Sequence, residues 1–143
     1  MTLKPQEKSN YCVCSILQAI FKINKIETSQ DEIANNLEPS KNGFFTEGEI
    51  ITNYLKQKGF EYSFYRHNAT PFNEPEILLE DMVLGTGFLG FHNHTYLFIE
   101  FKDPIVSLVD PKDDSIKHFE LRNIREAMAE SKNGFFGLVK KLK

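Results

Sequence analysis

Apolar positions recur at helical spacing in the first part of the chain and at strand spacing in the rest. From Cys12 onward, at about 100° per residue, Val13, Ile16, Leu17, Ile20 and Phe21 form one stripe of an amphipathic helix facing a core. Ser9 or Asn10 is its expected N-cap. Lys22 to Thr28 is a polar connector. Ser29 and Glu32 make a capping box ahead of Ile33, Ala34 and Leu37, giving a short second helix that stops before Pro39. Ser40 to Phe45 is a loop carrying Asn42-Gly43. Thr46 and Glu49 form another box and open a third helix, with Ile50, Ile51, Tyr54 and Leu55 inward and Gly59 at its end.

Past Gly59 the period changes. Phe60 to Tyr65 alternates as a strand does, Thr70 to Pro75 is a Pro-bearing loop, and Glu76 to Met82 is a brief helix. Gly85 to Phe91, Gly-rich and apolar, reads as a buried strand. His94 to Phe101 is rich in aromatic and β-branched residues; Lys102-Asp103-Pro104 turns it, and Ile105 to Val109 returns. Asp110 to Asp114 is a polar turn before a strand over Ser115 to Glu120. Asn123 to Ser131 is helical, and Asn133-Gly134 leads into a last strand from Phe135 to Val139. Helices precede a mostly antiparallel sheet, the order expected of an α+β fold.

Composition narrows this without changing it. The 143 residues suit one domain, 1–143, with a sizeable core, and 41% hydrophobic content with 13 Phe argues against disorder. A net charge of −3 gives no reason to expect nucleic acid or an anionic membrane as partner. The apolar runs are too short to span a bilayer, and MTLKPQEKSN lacks the apolar core of a signal peptide, so a cytoplasmic location is expected. Cys12 and Cys14 diverge by roughly 160° on a helix, which sets them apart as free thiols suited to a reducing compartment.

Cys12 carries the candidate chemistry. A cysteine in a first helical turn meets unpaired N–H groups and the positive end of the dipole, which favour the thiolate. A turn centred near Asp103 brings His94 and Asp110 to the same end of a hairpin, roughly opposite each other. There one imidazole nitrogen can take the Cys12 proton while the other donates to the Asp110 carboxylate. Gln6, six residues before Cys12, can offer its side-chain amide to a developing oxyanion beside the Cys12 N–H. The set points to acyl transfer through a thioester, with no metal or cofactor.

Gln6 and Cys12, the SQDEIA and TEGEIITNYLKQKG helices, HTYLFIEF, VSLVDP and the closing GFFGLVKKL together resemble C39-type, papain-like cysteine peptidases. The group includes the peptidase domains of bacteriocin-processing ABC transporters and many stand-alone proteins. The resemblance implies a papain-like fold with N-terminal helices packed on the sheet. It implies Cys12 as nucleophile, His94 as general base, Asp110 as orienting residue and Gln6 as oxyanion donor. It also implies a peptide or protein substrate, for transporter-linked members a Gly-Gly leader. Val13 departs from the pattern, where Gly usually follows the nucleophile, and narrows the approach to the thiol.

Three other readings stay open. The domain can be a degenerate peptidase retained as a binding module, or an acyltransferase using the same Cys12. Cys12 and Cys14 with His92 and His94 could form a tetrahedral zinc set, although a helix aims the two cysteines apart. Strand alternation puts His92 on the face of His94, and the start of the strong strand favours His94 as the base. His67 and His118 read as surface residues, Cys14 as a partly buried filler, and Lys140-Lys141 as a solvated strand end.

Overall fold

A computed structural model describes residues 3–66, 79–131 and 134–142. The helices are α1 (Cys12–Ile23), α2 (Gln30–Asn35), α3 (Glu49–Gln57) and α4 (Leu121–Ser131). The strands are β1 (Phe60–Arg66), β2 (Gly87–Phe91), β3 (His94–Lys102), β4 (Ile105–Asp110), β5 (Ser115–Glu120) and β6 (Phe135–Lys141). The expected α+β order holds, with bounds shifted by a residue or two. Of the helix expected over Glu76 to Met82, residues 79–81 are helical; its first part, the Thr70 to Pro75 loop, His67 and Asn133 lie outside the described residues.

The strands form one six-stranded sheet in the order β1-β6-β2-β3-β4-β5, every neighbouring pair antiparallel. Strand alternation divides the core into two layers. Leu97, Val109, Phe88 and Val139 pack with Val13, Ile16, Leu17, Ile20, Phe21, Ile33 and Leu55 from the N-terminal helices. Phe98, Leu108, Leu89 and Phe136 pack on the other face with Leu121, Ile124 and Met128 of α4. The apolar stripe of α1 is therefore the face laid on the sheet, as its spacing predicts.

The caps depart from expectation in two places. Ser29 does cap α2, its hydroxyl accepting the Glu32 N–H at 3.0 Å. The N-cap of α1 is Tyr11, with no side-chain hydrogen bond, rather than Ser9 or Asn10. The N-cap of α3 is Gly48, not Thr46, and its φ of 116° is a conformation that favours glycine. The Thr46 carbonyl is instead the acceptor for the Tyr62 hydroxyl at 2.6 Å.

Two features of the central strands shape the site end. A Cβ added at Gly90 would come within 2.0 Å of the Phe135 ring, so glycine is what lets that ring lie across β2. Between β2 and β3, His92 and Asn93 both have positive φ, 53° and 59°, and Phe91 pairs with His94, which is a two-residue hairpin turn of the I′ kind. This corrects the placement of His92: it sits in the turn, off the strand face that carries His94.

Candidate active site

Three elements converge where α1 begins. Cys12 is its first residue, His94 the first of β3, and Asp110 the last of β4. The arm before α1 is held beside them by backbone, Gln6 N–H donating to the Pro111 carbonyl at 2.8 Å. The fully buried Gln30 of α2 clamps the same arm. Its amide donates to Pro5 O at 3.0 Å and its Oε1 accepts the Glu7 N–H at 2.8 Å.

His94 and Asp110 meet on a diagonal. The β3–β4 register pairs Leu97 with Val109 and slips between Phe98 and Glu100, so by continuation Asp110 faces Tyr96. Diagonal neighbours on one sheet face remain within reach of a ring and a carboxylate. His94 Nε2 lies 2.6 Å from Asp110 Oδ1. The ring stands edge-on to Tyr96 at a centroid distance of 4.7 Å, which fixes its plane. The expected His94–Asp110 contact is present, though the two residues are not direct partners.

Asp110 is buried and fully engaged. Oδ1 also accepts the Lys112 N–H at 2.9 Å, and Oδ2 accepts from Lys117 Nζ at 2.7 Å. Burial alone would raise this carboxyl; the bonds from Lys117, His94 and the Lys112 N–H outweigh it and bring its pKa down to about 2. An ionised acceptor keeps the proton on His94 Nε2 and leaves Nδ1 as the basic nitrogen. Lys117 is the residue missed in the sequence. The Asp110–Ser115 pairing puts it on the Asp110 face two residues on, a placement that strand alternation through β5 could have revealed.

Cys12 is half-buried, and burial pushes its thiol above the ordinary value. The Val13 N–H, the Thr95 hydroxyl, and the N–H groups of Cys12 and Thr95 oppose that shift without cancelling it. The expectation that a helix start favours the thiolate is thus corrected: the donors are there, and desolvation wins. Cys14 is buried in the core and pushed up to about 12, first by burial and then by Cys12 and Asp31. Among the described residues no cluster of three or more His, Cys, Asp or Glu is arranged to hold a metal ion, so the four candidate zinc ligands do not converge.

Gln6 stands close by in a different state from the one expected. Its Nε2 donates to the carbonyls of Lys8 at 3.0 Å and Ser9 at 2.9 Å, which occupies both amide hydrogens. Two adjoining cavities share Cys12 and His94. One, of about 420 Å³, is walled by Val13, Phe44, Phe91 and Phe135. The other, of about 500 Å³, is lined by Gln6, Lys8, Asn93 and Lys112.

No protein-family model and no curated protein matches the sequence. Solved structures do match. A double glycine motif protease from an AMS/PCAT transporter, in complex with its leader peptide, superposes with a TM-score of 0.72 at 17% identity, over 97% of this chain and 90% of that one. The peptidase domain of Streptococcus ComA, a bifunctional ABC transporter of a quorum-sensing pathway, superposes at 0.70 with 14% identity, over 97% of each chain. The fold is that of a C39-type peptidase domain. The Streptococcus mutans ComA peptidase domain, bound to a small-molecule inhibitor, agrees at 0.60 and 13% identity, over 97% of this chain and 98% of that one. At these identities the C39 likeness is one of architecture: helices on an antiparallel sheet, with α1 starting beside β3. Among the described residues no helix is long and apolar enough to cross a membrane.

Proposed function

We propose that this C39-type domain is a cytoplasmic cysteine peptidase, with Cys12 as nucleophile, His94 as general base and acid, Asp110 as orienting carboxylate and Gln6 as an oxyanion donor. The observation that carries the reading is the 2.6 Å His94 Nε2–Asp110 Oδ1 bond beside a cavity shared with Cys12, which leaves Nδ1 basic. In the first half-reaction Nδ1 takes the Cys12 proton and the sulfur adds to the carbonyl carbon, the C=O electron pair moving to oxygen. The Cys12 N–H and a Gln6 amide hydrogen, exchanged from Lys8 O or Ser9 O, receive that oxyanion. The C–N bond then breaks, His94 Nδ1 returns its proton to the leaving amine, and a thioester remains. Water, deprotonated by Nδ1, adds to the thioester. The C–S bond breaks, the carboxylic acid leaves and the sulfur regains its proton.

The substrate class is a peptide, and a Gly-Gly leader is the natural first candidate, since a structural neighbour is a double glycine motif protease with its leader bound. Cleavage of Gly-Gly peptides by wild type, Cys12→Ala and His94→Ala tests this. Cys12→Ala is expected to abolish turnover, and His94→Ala to lower kcat by at least about 10³-fold. Equal cleavage by wild type and Cys12→Ala would remove the reading. The raised Cys12 thiol and the engaged Gln6 amide favour, as a second reading, a degenerate peptidase acting as a peptide-binding module. That module would bind the peptides with equal affinity in wild type and Cys12→Ala and cut none.

A further inference from the structure

The mechanism above uses one oxygen of Asp110; the other is held by Lys117. Its Nζ sits 2.7 Å from Oδ2, on the far side of the carboxyl from the His94 bond to Oδ1 at 2.6 Å. Lys117 lies mid-strand in β5, paired with Leu108, and its side chain is half-exposed while that of Asp110 is 5% exposed. The cation thus reaches in from solvent to a carboxylate that the fold has enclosed.

A carboxylate shared between an ammonium and an imidazole does two things at once. It is locked in orientation, because both oxygens are spoken for. It also lends less charge to the ring, because the ammonium already neutralises it and repels a second positive charge a few ångströms away.

We infer that Lys117 is a positioning residue of the site: it fixes the Asp110 carboxylate for His94 Nε2 and disfavours the imidazolium, so that thiol and neutral imidazole form the resting pair. The inference rests on the Cys12–His94–Asp110 reading and adds a residue to it. Lys117 would act in the same direction as the burial that raises the Cys12 thiol at the helix start. In this arrangement the proton moves to His94 as the sulfur adds to the substrate carbonyl.

The other charged and titratable groups facing the couple are accounted for. Tyr96 approaches from β3 and Cys12 from α1. From the turn, Asp113 accepts the Ser115 N–H at 3.0 Å, and Lys112 reaches Asp110 with its backbone N–H. On the N-terminal arm, Glu7 pairs with Lys4 at 2.9 Å, and Lys8 leans on Tyr11 and Asp31. Among the described residues, Lys117 supplies the ammonium that touches the carboxylate.

The test is the rate of iodoacetamide labelling at Cys12 against pH, read by peptide mass spectrometry. It needs no substrate and compares wild type, Lys117→Met, Lys117→Arg and His94→Ala. Loss of the ammonium should stabilise the thiolate–imidazolium pair and move the labelling inflection to lower pH by about half a unit. That is roughly threefold faster labelling at a fixed pH below the wild-type inflection. Lys117→Arg, which keeps the charge, should track wild type, and 1 M salt should narrow the Lys117→Met gap because the ammonium is half-exposed. Lys117→Gln is the second neutral variant, should Lys117→Met fold poorly. If the neutral variants superimpose on wild type, or shift upward, while His94→Ala departs from it, the role of Lys117 is overturned and the triad stands. Should wild type and His94→Ala superimpose, the triad reading itself fails.

Discussion

On one side of Cys12 the cavity of about 420 Å³ is walled by Val13, Phe44, Phe91 and Phe135; on the other, about 500 Å³ is lined by Gln6, Lys8, Asn93 and Lys112. The apolar side is built by packing. Phe135 stacks on Phe64 at 5.2 Å and lies across Gly90, and Val13 belongs to the core under α1. The polar side is built by hydrogen bonds, from the Gln6 N–H on Pro111 to the Asp110 carboxylate with its three donors. A sulfur between them is pulled two ways. The apolar wall removes water and raises the thiol, while the Val13 and Thr95 donors pull it down. The difference teaches that nucleophilicity at this site is set by a boundary between two kinds of construction, and each can be disturbed separately.

The polar side is expected to give the larger effect on chemistry. Gln6→Ala removes the amide proposed to meet the oxyanion. Under the peptidase reading kcat falls about 10²- to 10³-fold, with KM and Cys12 alkylation little changed. An unaltered kcat would leave Gln6 as a mere strut between Lys8, Ser9 and Pro111. On the apolar side, Gly90→Ala would put a methyl where the Phe135 ring lies, displacing it from β2 and from the cavity wall. The expected cost is about 2–3 kcal/mol in a urea unfolding titration. Stability equal to wild type would mean the aromatic wall is looser than its contacts imply.

The sequence foretold the two constructions unequally. The apolar side follows from periodicity: the α1 stripe, the buried β2 run and the alternation of β3 are local patterns, and each packed as its spacing predicts. The His94–Asp110 meeting was legible too, since hairpin topology alone carries both to one end. What escaped depends on backbone or distant partners. The cap of α1 is made without a side chain, and that of α3 is a glycine, so the Ser9 or Asn10 cap and the Thr46–Glu49 box point to the wrong residues. Strand alternation extended past His94 carries His92 onto the same face, whereas His92 and Asn93 are the two positive-φ residues of the turn. The slip between Phe98 and Glu100 moves Asp110 from opposite Leu97 to opposite Tyr96 and so onto the face of His94, a shift that no residue pattern announces. Lys117 and the desolvation of Cys12 belong to tertiary structure, where a strand from beyond the motif and a wall of rings decide the electrostatics.

Acid stability separates the two sides by a smaller margin. The Asp110 carboxyl, brought down to about 2 in the folded protein, has an ordinary value near 3.9 when unfolded. A folded-state value below the unfolded one contributes stability that is complete above the unfolded value and disappears as pH falls through the folded one. Wild type should therefore lose on the order of 2 kcal/mol between about pH 5 and pH 2 through this group, beyond what its surface carboxylates lose. Asp110→Asn, with no proton to bind, should start less stable at pH 6 and show a shallower decline. Gly90→Ala should run below wild type by a constant amount across the range, because packing does not titrate. Urea titrations at stepped pH read all three curves. A parallel decline in Asp110→Asn and wild type would mean the carboxylate's three donors, Lys117 included, hold it no better in the folded chain than water does in the unfolded one.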